Sequence, residues 1–290
     1  MSSFDYIDNH VENIDESYYA AIIGLNPSRG ARSPTLWNAA FQAQGQSARM
    51  IPMDVSAGNI PALITALNED KRFLGGAVTM PYKESIAAFL GATRMEPTAL
   101  RIGAVNCLYR GKHGDLCGAN TDGAAALVSI EALIGSIAGK RCLTLGVGGV
   151  GKAVAAYLAD ANAELTLASR NLERDQGFAS KIGARLIGMP VTPPEFSELD
   201  ILINCTSLGF ANADVTASPV PLECFSRIPK SCRVFDVIYN PRPTQFLRYA
   251  IETGHPVEDG LFMNLEQAVL GFCRANPLAV PDVVRQAMST

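Results

Sequence analysis

Short apolar runs alternate with stretches of helical periodicity along most of this chain. Residues 18–24 (YYAAIIG) form a first run with the length and β-branched content of a buried strand, and a loop follows over 25–34. The pattern then predicts a helix over 35–44, a strand over 48–53, a helix over 60–68, a strand over 76–79 and a helix from 84 onward. Residues 104–109 and 116–118 flank a Gly-Lys-His-Gly turn and read as a hairpin. After Asn120-Thr-Asp-Gly123, three of whose residues are good helix caps, an alanine-rich helix is expected over 124–134. Further strands are predicted at 143–145, 163–169, 199–204 and 233–239, with helices at 152–159 and 263–274. Strands alternating with helices predict parallel α/β sheets. One such alternation is complete before residue 120 and a second follows it, so the chain reads as two α/β domains.

The second series opens on Leu143-Thr-Leu-Gly-Val-Gly-Gly-Val-Gly-Lys152. Gly146, Gly148 and Gly151 stand in G-x-G-x-x-G spacing between a strand and a helix, with Gly149 and Val150 inside the turn. Free N–H groups and the dipole at a helix start favour a pyrophosphate, and small residues let the backbone approach it. The pattern alone also describes an ordinary glycine turn; the flanking strand and helix favour nucleotide binding. In such a unit the next strand ends in an acid for the ribose hydroxyls of NAD, or near an arginine for the 2′-phosphate of NADP. Here it ends Ala168-Ser-Arg-Asn171, without an acid. Ser169, Arg170 and Asn171 suit a phosphate, which predicts NADP over NAD; a solvated loop arginine is the plainer alternative.

Composition narrows the class. The chain has 290 residues, 48% hydrophobic and 18% charged, enough apolar content for a large core. A net charge of −4 with mixed signs gives no basic surface for nucleic acid or anionic membranes. The expected partners therefore exclude both. No apolar run reaches the ~18 residues of a membrane span, and the polar, acidic lead-in over 1–17 has neither signal- nor transit-peptide character. Seven scattered cysteines without C-x-x-C spacing read as reduced thiols of a cytoplasmic protein, and no metal site is expected. None of the three histidines sits in a nucleophile motif, so Ser-His-Asp hydrolysis is unsupported.

Several stretches, taken in order, resemble the shikimate dehydrogenase family: Ser33-Pro34 with Asn38; Val78-Thr-Met-Pro-Tyr-Lys83; Gly103-Ala-Val-Asn106; Asn120-Thr-Asp-Gly123; the glycine turn; Ser169-Arg-Asn171; Asn204-Cys-Thr-Ser-Leu-Gly209; Asp236-Val-Ile-Tyr-Asn-Pro241; and Asp259-Gly-Leu-Phe-Met263 with Gln267. The resemblance spans about 22–277. It implies an N-terminal α/β substrate domain (1–121 plus 260–290) and a Rossmann-type NADP-binding domain (122–259), with an active-site cleft between them. It also implies reversible NADP-dependent interconversion of shikimate and 3-dehydroshikimate, a step of aromatic amino acid (chorismate) biosynthesis, by a monomer or homodimer.

In the family a lysine and an aspartate flank the reacting hydroxyl, and the matching residues are Lys83 and Asp122. Oxidising an alcohol needs a group within hydrogen-bond reach to take the hydroxyl proton. Lys83 is assigned as the acid/base and Asp122 as the group that orients it. Without the resemblance, a solvated helix-start lysine and a plain N-cap would be the simpler readings. The same resemblance places Ser33, Thr79, Asn106, Gln267 and Tyr239 at a polyhydroxylated cyclohexene carboxylate. It places Thr206, Gly260 and Met263 at the cofactor.

The chain departs from the family pattern in four places, one of them a loop over residues 26–32 that is one residue longer than usual. The usual Ser-x-Ser-Pro, whose hydroxyls hold the substrate carboxylate, reads Ala31-Arg-Ser-Pro34; Trp37 stands where His is common; and Ala77 stands where Asn is usual. Arg29, Arg32 or a shifted Ser28 are candidate replacements for the lost hydroxyl. The changes predict a raised KM for shikimate or a preference for quinate or an aminated analogue. A non-catalytic nucleotide-binding regulator is the alternative from another class, disfavoured by retention of Lys83 and Asp122. A folate-type two-domain dehydrogenase is disfavoured by the Asn120-Thr-Asp122 and Asp259-Gly-Leu261 stretches.

Overall fold

The computed structural model describes residues 3–211 and 214–289. The polar lead-in is thus described from Ser3; Met1 and Ser2 lie outside the described residues. The chain divides into two compact units, Met1–Thr121 with Leu265–Thr290, and Asp122–Asn264.

The first unit is built on a five-stranded sheet. Its elements are β1 (Tyr18–Gly24), α1 (Ser33–Ala43), β2 (Ala48–Asp54), α2 (Ile60–Glu69), β3 (Phe73–Val78), α3 (Lys83–Leu90), α4 (Pro97–Ile102), β4 (Cys107–Arg110) and β5 (Leu116–Ala119). The strand order is β2-β1-β3-β4-β5. β2, β1 and β3 are parallel; β4 pairs antiparallel to β3, and β5 pairs antiparallel to β4, closing the predicted hairpin. Side chains alternate across the sheet. Tyr19, Ala21 and Ile23 of β1 face a core shared with Leu63 and Leu67 of α2 and Ile86 of α3. Ala20 faces the opposite core, made with Leu36 and Trp37 of α1. Two-sided burial explains why β1 reads as an unbroken apolar run rather than an alternating one. A proline in the first turn opens α1, α2 and α4, where its missing N–H costs no helical bond.

The second unit carries α5 (Asp122–Ile134), β6 (Arg141–Leu145), α6 (Gly149–Asp160), β7 (Glu164–Ser169), α7 (Leu172–Ile182), β8 (Arg185–Gly188), β9 (Ile201–Asn204), β10 (Arg233–Asp236), α8 (Gln245–Glu252) and β11 (Val257–Glu258). Its sheet is parallel throughout, in the order β11-β10-β9-β6-β7-β8. The order reverses between β6 and β9, which is the doubly wound arrangement of dinucleotide-binding folds. Cys142, Leu167, Ile203 and Phe235 pack on one face; Leu143, Ala168, Leu202 and Val234 pack on the other. The helix α9 (Leu261–Ala275) begins in this unit and ends in the first, where α10 (Pro281–Ser289) closes the chain. Arg285 of α10 makes a two-bond pair with the buried Glu266 of α9, at 2.7 and 3.1 Å.

Candidate active site and nucleotide site

In the first unit, the residues expected to bind substrate lie at the carboxyl ends of the parallel strands, where open α/β sheets place ligands. β1 ends at Gly24, which lies so close to Thr79 that a Cβ there would stand 2.3 Å from the threonine Cγ2. Thr79 directly follows β3 and donates its backbone N–H to Ile23 at 2.9 Å. Four residues on, Lys83 opens α3 and is partly exposed. Its carbonyl accepts the N–H of Val105 at 2.9 Å, which ties the start of α3 to the loop carrying Asn106.

Asn106 is the best-connected polar side chain of this cluster and is buried. Its Oδ1 accepts the backbone N–H of Thr121 at 2.8 Å, and its Nδ2 donates to the Thr121 hydroxyl at 2.9 Å. That hydroxyl donates in turn to the Gln267 carbonyl at 3.0 Å, and Asn106 Nδ2 lies 3.4 Å from Gln267 Oε1. Two residues remote in sequence are therefore joined through Thr121, which the sequence pattern marked only as a helix cap. Asp122 follows Thr121 directly, as the first residue of α5, and is 4% exposed.

The loop after β1 explains part of the departure from the family pattern. Ser33 is buried at the first position of α1. Ser28 donates its backbone N–H and its hydroxyl to the two carboxylate oxygens of Asp54, at 2.8 and 2.5 Å. Its proton is committed to Asp54, so Ser28 cannot supply the hydroxyl donor that Ala31 lacks. Trp37 is a core residue, packed edge-on against Phe41 and Phe272 at centroid distances of 6.1 and 5.2 Å.

In the second unit, the glycine turn has the close approaches that a nucleotide cradle requires. Gly148 caps α6, which starts at Gly149, with Val150 in its first turn. A Cβ on Gly151 would stand 2.1 Å from the Gly146 carbonyl oxygen, so any larger residue would push α6 off the turn. Gly148 has open space around its Cα. An uncluttered backbone at a helix start suits a pyrophosphate, and these residues fit the dinucleotide. At the tip of β7, Ser169 is buried while Arg170 and Asn171 are exposed. Asn171 caps α7 by accepting the Arg174 N–H at 3.0 Å.

The strand tips β9 and β10 are cross-linked. Thr206 donates its backbone N–H and its hydroxyl to Asn204 Oδ1, at 2.9 and 2.7 Å. Asn204 Nδ2 donates to Asp236 at 3.0 Å, and Asp236 also accepts from Thr244 at 2.7 Å and from the Ile238 N–H at 3.0 Å. Burial pushes the Asp236 carboxyl up to about 7, against the three donors that favour its charge. Burial, then Asp236 and Asp122, raise the thiol of the neighbouring, partly buried Cys205. Tyr239 follows this network and is half-buried. The Gly260 N–H donates to Ile238 at 3.1 Å, and Met263 is buried in the core beside the sheet. Sequence reasoning did not single out Asp54 or the Arg174–Asp175 pair, and it marked Thr121 only as a helix cap.

Comparison with known proteins bears on the whole arrangement. Residues 22–108 match the model of the shikimate dehydrogenase substrate binding domain. The chain is 37% identical over 284 residues to the NADP(+) shikimate dehydrogenase of Moorella thermoacetica, covering 92% of each. It is similar to the shikimate dehydrogenase of Thermus thermophilus solved with NADP(H) and shikimate, with a TM-score of 0.79, 30% identity, and 94% and 98% of the two chains covered. It is also similar to a 5-ketofructose reductase of Gluconobacter sp., with a TM-score of 0.76, 28% identity, and 95% and 99% covered.

Proposed function

The chain belongs to the shikimate dehydrogenase family, and from that membership we propose that it catalyses the reversible NADP-dependent interconversion of shikimate and 3-dehydroshikimate. The observation that carries the reading is the extent of the likeness, 92% of both chains, which takes in the substrate-binding unit as well as the nucleotide-binding one. NADP, when bound, supplies the acceptor for the hydride. Lys83 takes the hydroxyl proton as the carbonyl forms and returns it in the reverse direction. Asp122 accepts a hydrogen bond from the same hydroxyl and favours the protonated form of the lysine. Asn106 and Gln267, held by Thr121, are positioned to bind ring hydroxyls, with Ser33, Thr79 and Tyr239 completing the substrate contacts. Gly146, Gly148, Gly149 and Val150 receive the pyrophosphate, Ser169 to Asn171 surround the adenosine ribose, and Thr206, Gly260 and Met263 border the nicotinamide.

A second reading, a paralogue preferring quinate, an aminated analogue or another polyhydroxylated ketone, is favoured by the loop after β1. Ala31 has no hydroxyl, and the Ser28 hydroxyl is held by Asp54. Loss of one hydrogen bond to a charged group costs roughly 1.5–3 kcal/mol, so weakened carboxylate binding follows. A keto-sugar reductase with this fold is a precedent for such a change of substrate. The cysteines are free thiols, which fits a cytoplasmic enzyme, and we propose a monomer or homodimer in that compartment. Among the described residues no helix is long and apolar enough to cross a membrane.

The test is an initial-rate assay with shikimate and with quinate, each offered with NADP and with NAD. Turnover of shikimate with NADP is the expected result. Stronger turnover of quinate moves the assignment to the second reading. Nucleotide binding without turnover of either substrate overturns the shikimate and quinate assignments and leaves another ring substrate or a non-catalytic regulator.

A further inference from the structure

At the tip of β7, where the fold brings the adenosine ribose, a fully buried acid lies behind the exposed residues. Asp175 sits in the first turn of α7 with 0% of its side chain exposed. Arg174 grips it with two bonds, Nε to Oδ1 and Nη2 to Oδ2, both at 2.8 Å. The Ser169 hydroxyl reaches the same Oδ2 at 2.5 Å. The Ser169 oxygen also accepts the Asn171 N–H at 3.0 Å. The Arg174 guanidinium, 57% exposed, extends to the glycine turn, with Nη2 at 3.4 Å from the Val147 carbonyl. It therefore borders the space beside both the turn and the strand tip.

We propose that Asp175 sets how sharply this chain distinguishes NADP from NAD, by taking up the charge of Arg174 and the proton of Ser169 so that Arg170 carries the recognition of a ribose 2′-phosphate. The inference rests on the nucleotide-binding reading above, and on no assumption about the substrate. A buried carboxylate needs its cationic partner, and separating the two is strongly unfavourable. A dianion approaching Arg174 therefore meets a guanidinium whose charge is offset by the carboxylate directly behind it, a carboxylate on which the Lys152 ammonium also acts. Ser169 gives the phosphate nothing in compensation. Its proton points to Asp175, its oxygen already accepts a backbone N–H, and it is buried. Burial pushes the Asp175 carboxyl up, but the bonds from Arg174 and Ser169 outweigh it and hold the group below its usual range, so the pair is ionised at neutral pH. Arg170, exposed at the strand tip, is subject to no such carboxylate bond among those described.

Isothermal titration of the full chain with adenosine 2′,5′-bisphosphate and with 5′-AMP reads the preference for the 2′-phosphate without requiring turnover. Three variants separate the roles. Arg170→Ala should lower the preference by about tenfold or more, the scale of a lost charge-assisted contact. The double variant Arg174→Gln with Asp175→Asn exchanges a neutral pair for a neutral pair, keeps the fold, and should leave the preference within about threefold of the parent. Asp175→Asn alone releases the Arg174 charge and should raise the preference by about threefold or more. A double variant that loses tenfold, or an Asp175→Asn variant with lowered preference, would overturn the proposal: Arg174 would then be a phosphate ligand that Asp175 orients. Failure of the parent chain to bind either nucleotide would instead remove the nucleotide-binding reading, and this inference with it.

Discussion

Thr121 donates its backbone N–H to the side-chain oxygen of Asn106 at 2.8 Å and takes the Asn106 amide proton on its hydroxyl at 2.9 Å. The amide of Asn106 is thereby fixed in one orientation, with its nitrogen toward Gln267. A buried polar network of this kind specifies geometry when every member is satisfied and is costly when one is lost.

Thr121→Val removes the hydroxyl while keeping the shape. It leaves the Asn106 amide proton and the Gln267 carbonyl each without that partner, so stability should fall by about 1–3 kcal/mol. KM for the ring substrate should rise while nucleotide affinity stays unchanged, because the loss falls on Asn106 and Gln267. Thr121→Ser keeps the hydroxyl and should restore KM. Steady-state kinetics beside a nucleotide titration decides this. Failure of the serine variant to recover KM would show that the methyl group, and so packing, was the relevant part.

Lys83→Ala should lower kcat by roughly 10²- to 10⁴-fold, the range for a general acid–base group. The fold should persist, because the bond that fixes this helix start to the Val105 loop is made by the Lys83 backbone carbonyl and survives side-chain truncation. Circular dichroism and a thermal melt check the fold, and initial rates check the chemistry. A kcat within threefold of the parent would remove Lys83 from the proton-transfer role.

Gly151→Ala tests the glycine turn separately from its sequence pattern. The added Cβ would lie 2.1 Å from the Gly146 carbonyl, so α6 must shift, at a cost of about 1–3 kcal/mol for overpacking. The shift moves the helix start that receives the pyrophosphate. The dissociation constants for NADP and NAD should therefore rise together, without a change in their ratio. A change in the ratio would place Gly151 near the 2′-position instead.

Much of this architecture was legible because buried parallel strands are short apolar runs. β1, β6, β7 and β9 were recognisable for that reason, and α5 and α9 from their apolar periodicity. The helix α7 was not, since its sequence is polar and holds Gly177, with only Asp175 and Ala179 buried. The hidden contacts have the same origin. Arg174 and Asp175 are adjacent, and neighbouring positions of a helix do not ordinarily face one another. Their pairing is possible because the arginine folds back at the first turn, a fact of side-chain direction that no spacing rule carries. Thr121 meets Gln267 across 146 positions of chain, through a helix that starts in one unit and ends in the other.

Asp236 should give the stability of this protein an unusual pH dependence. Its carboxyl is raised by burial to about 7 in the folded chain, while in the unfolded chain it titrates near 4. Below about pH 4 it is protonated in both states, and its contribution to stability is fully present. Between about 4 and 7 the unfolded chain releases this proton while the folded chain keeps it, so stability declines as pH rises. Above 7 the contribution is lost. The ceiling on the effect is about 4 kcal/mol, from a difference of roughly three pH units at 1.36 kcal/mol each. Asp236→Asn is neutral throughout. Its oxygen can still accept from Asn204 and the Ile238 N–H, and its amide can donate to Thr244. The variant should therefore gain stability relative to the parent between pH 5 and pH 8, measured as the difference in Tm at the two values. A Tm difference that is the same at both would mean that Asp236 is ionised across the range, held so by its three donors.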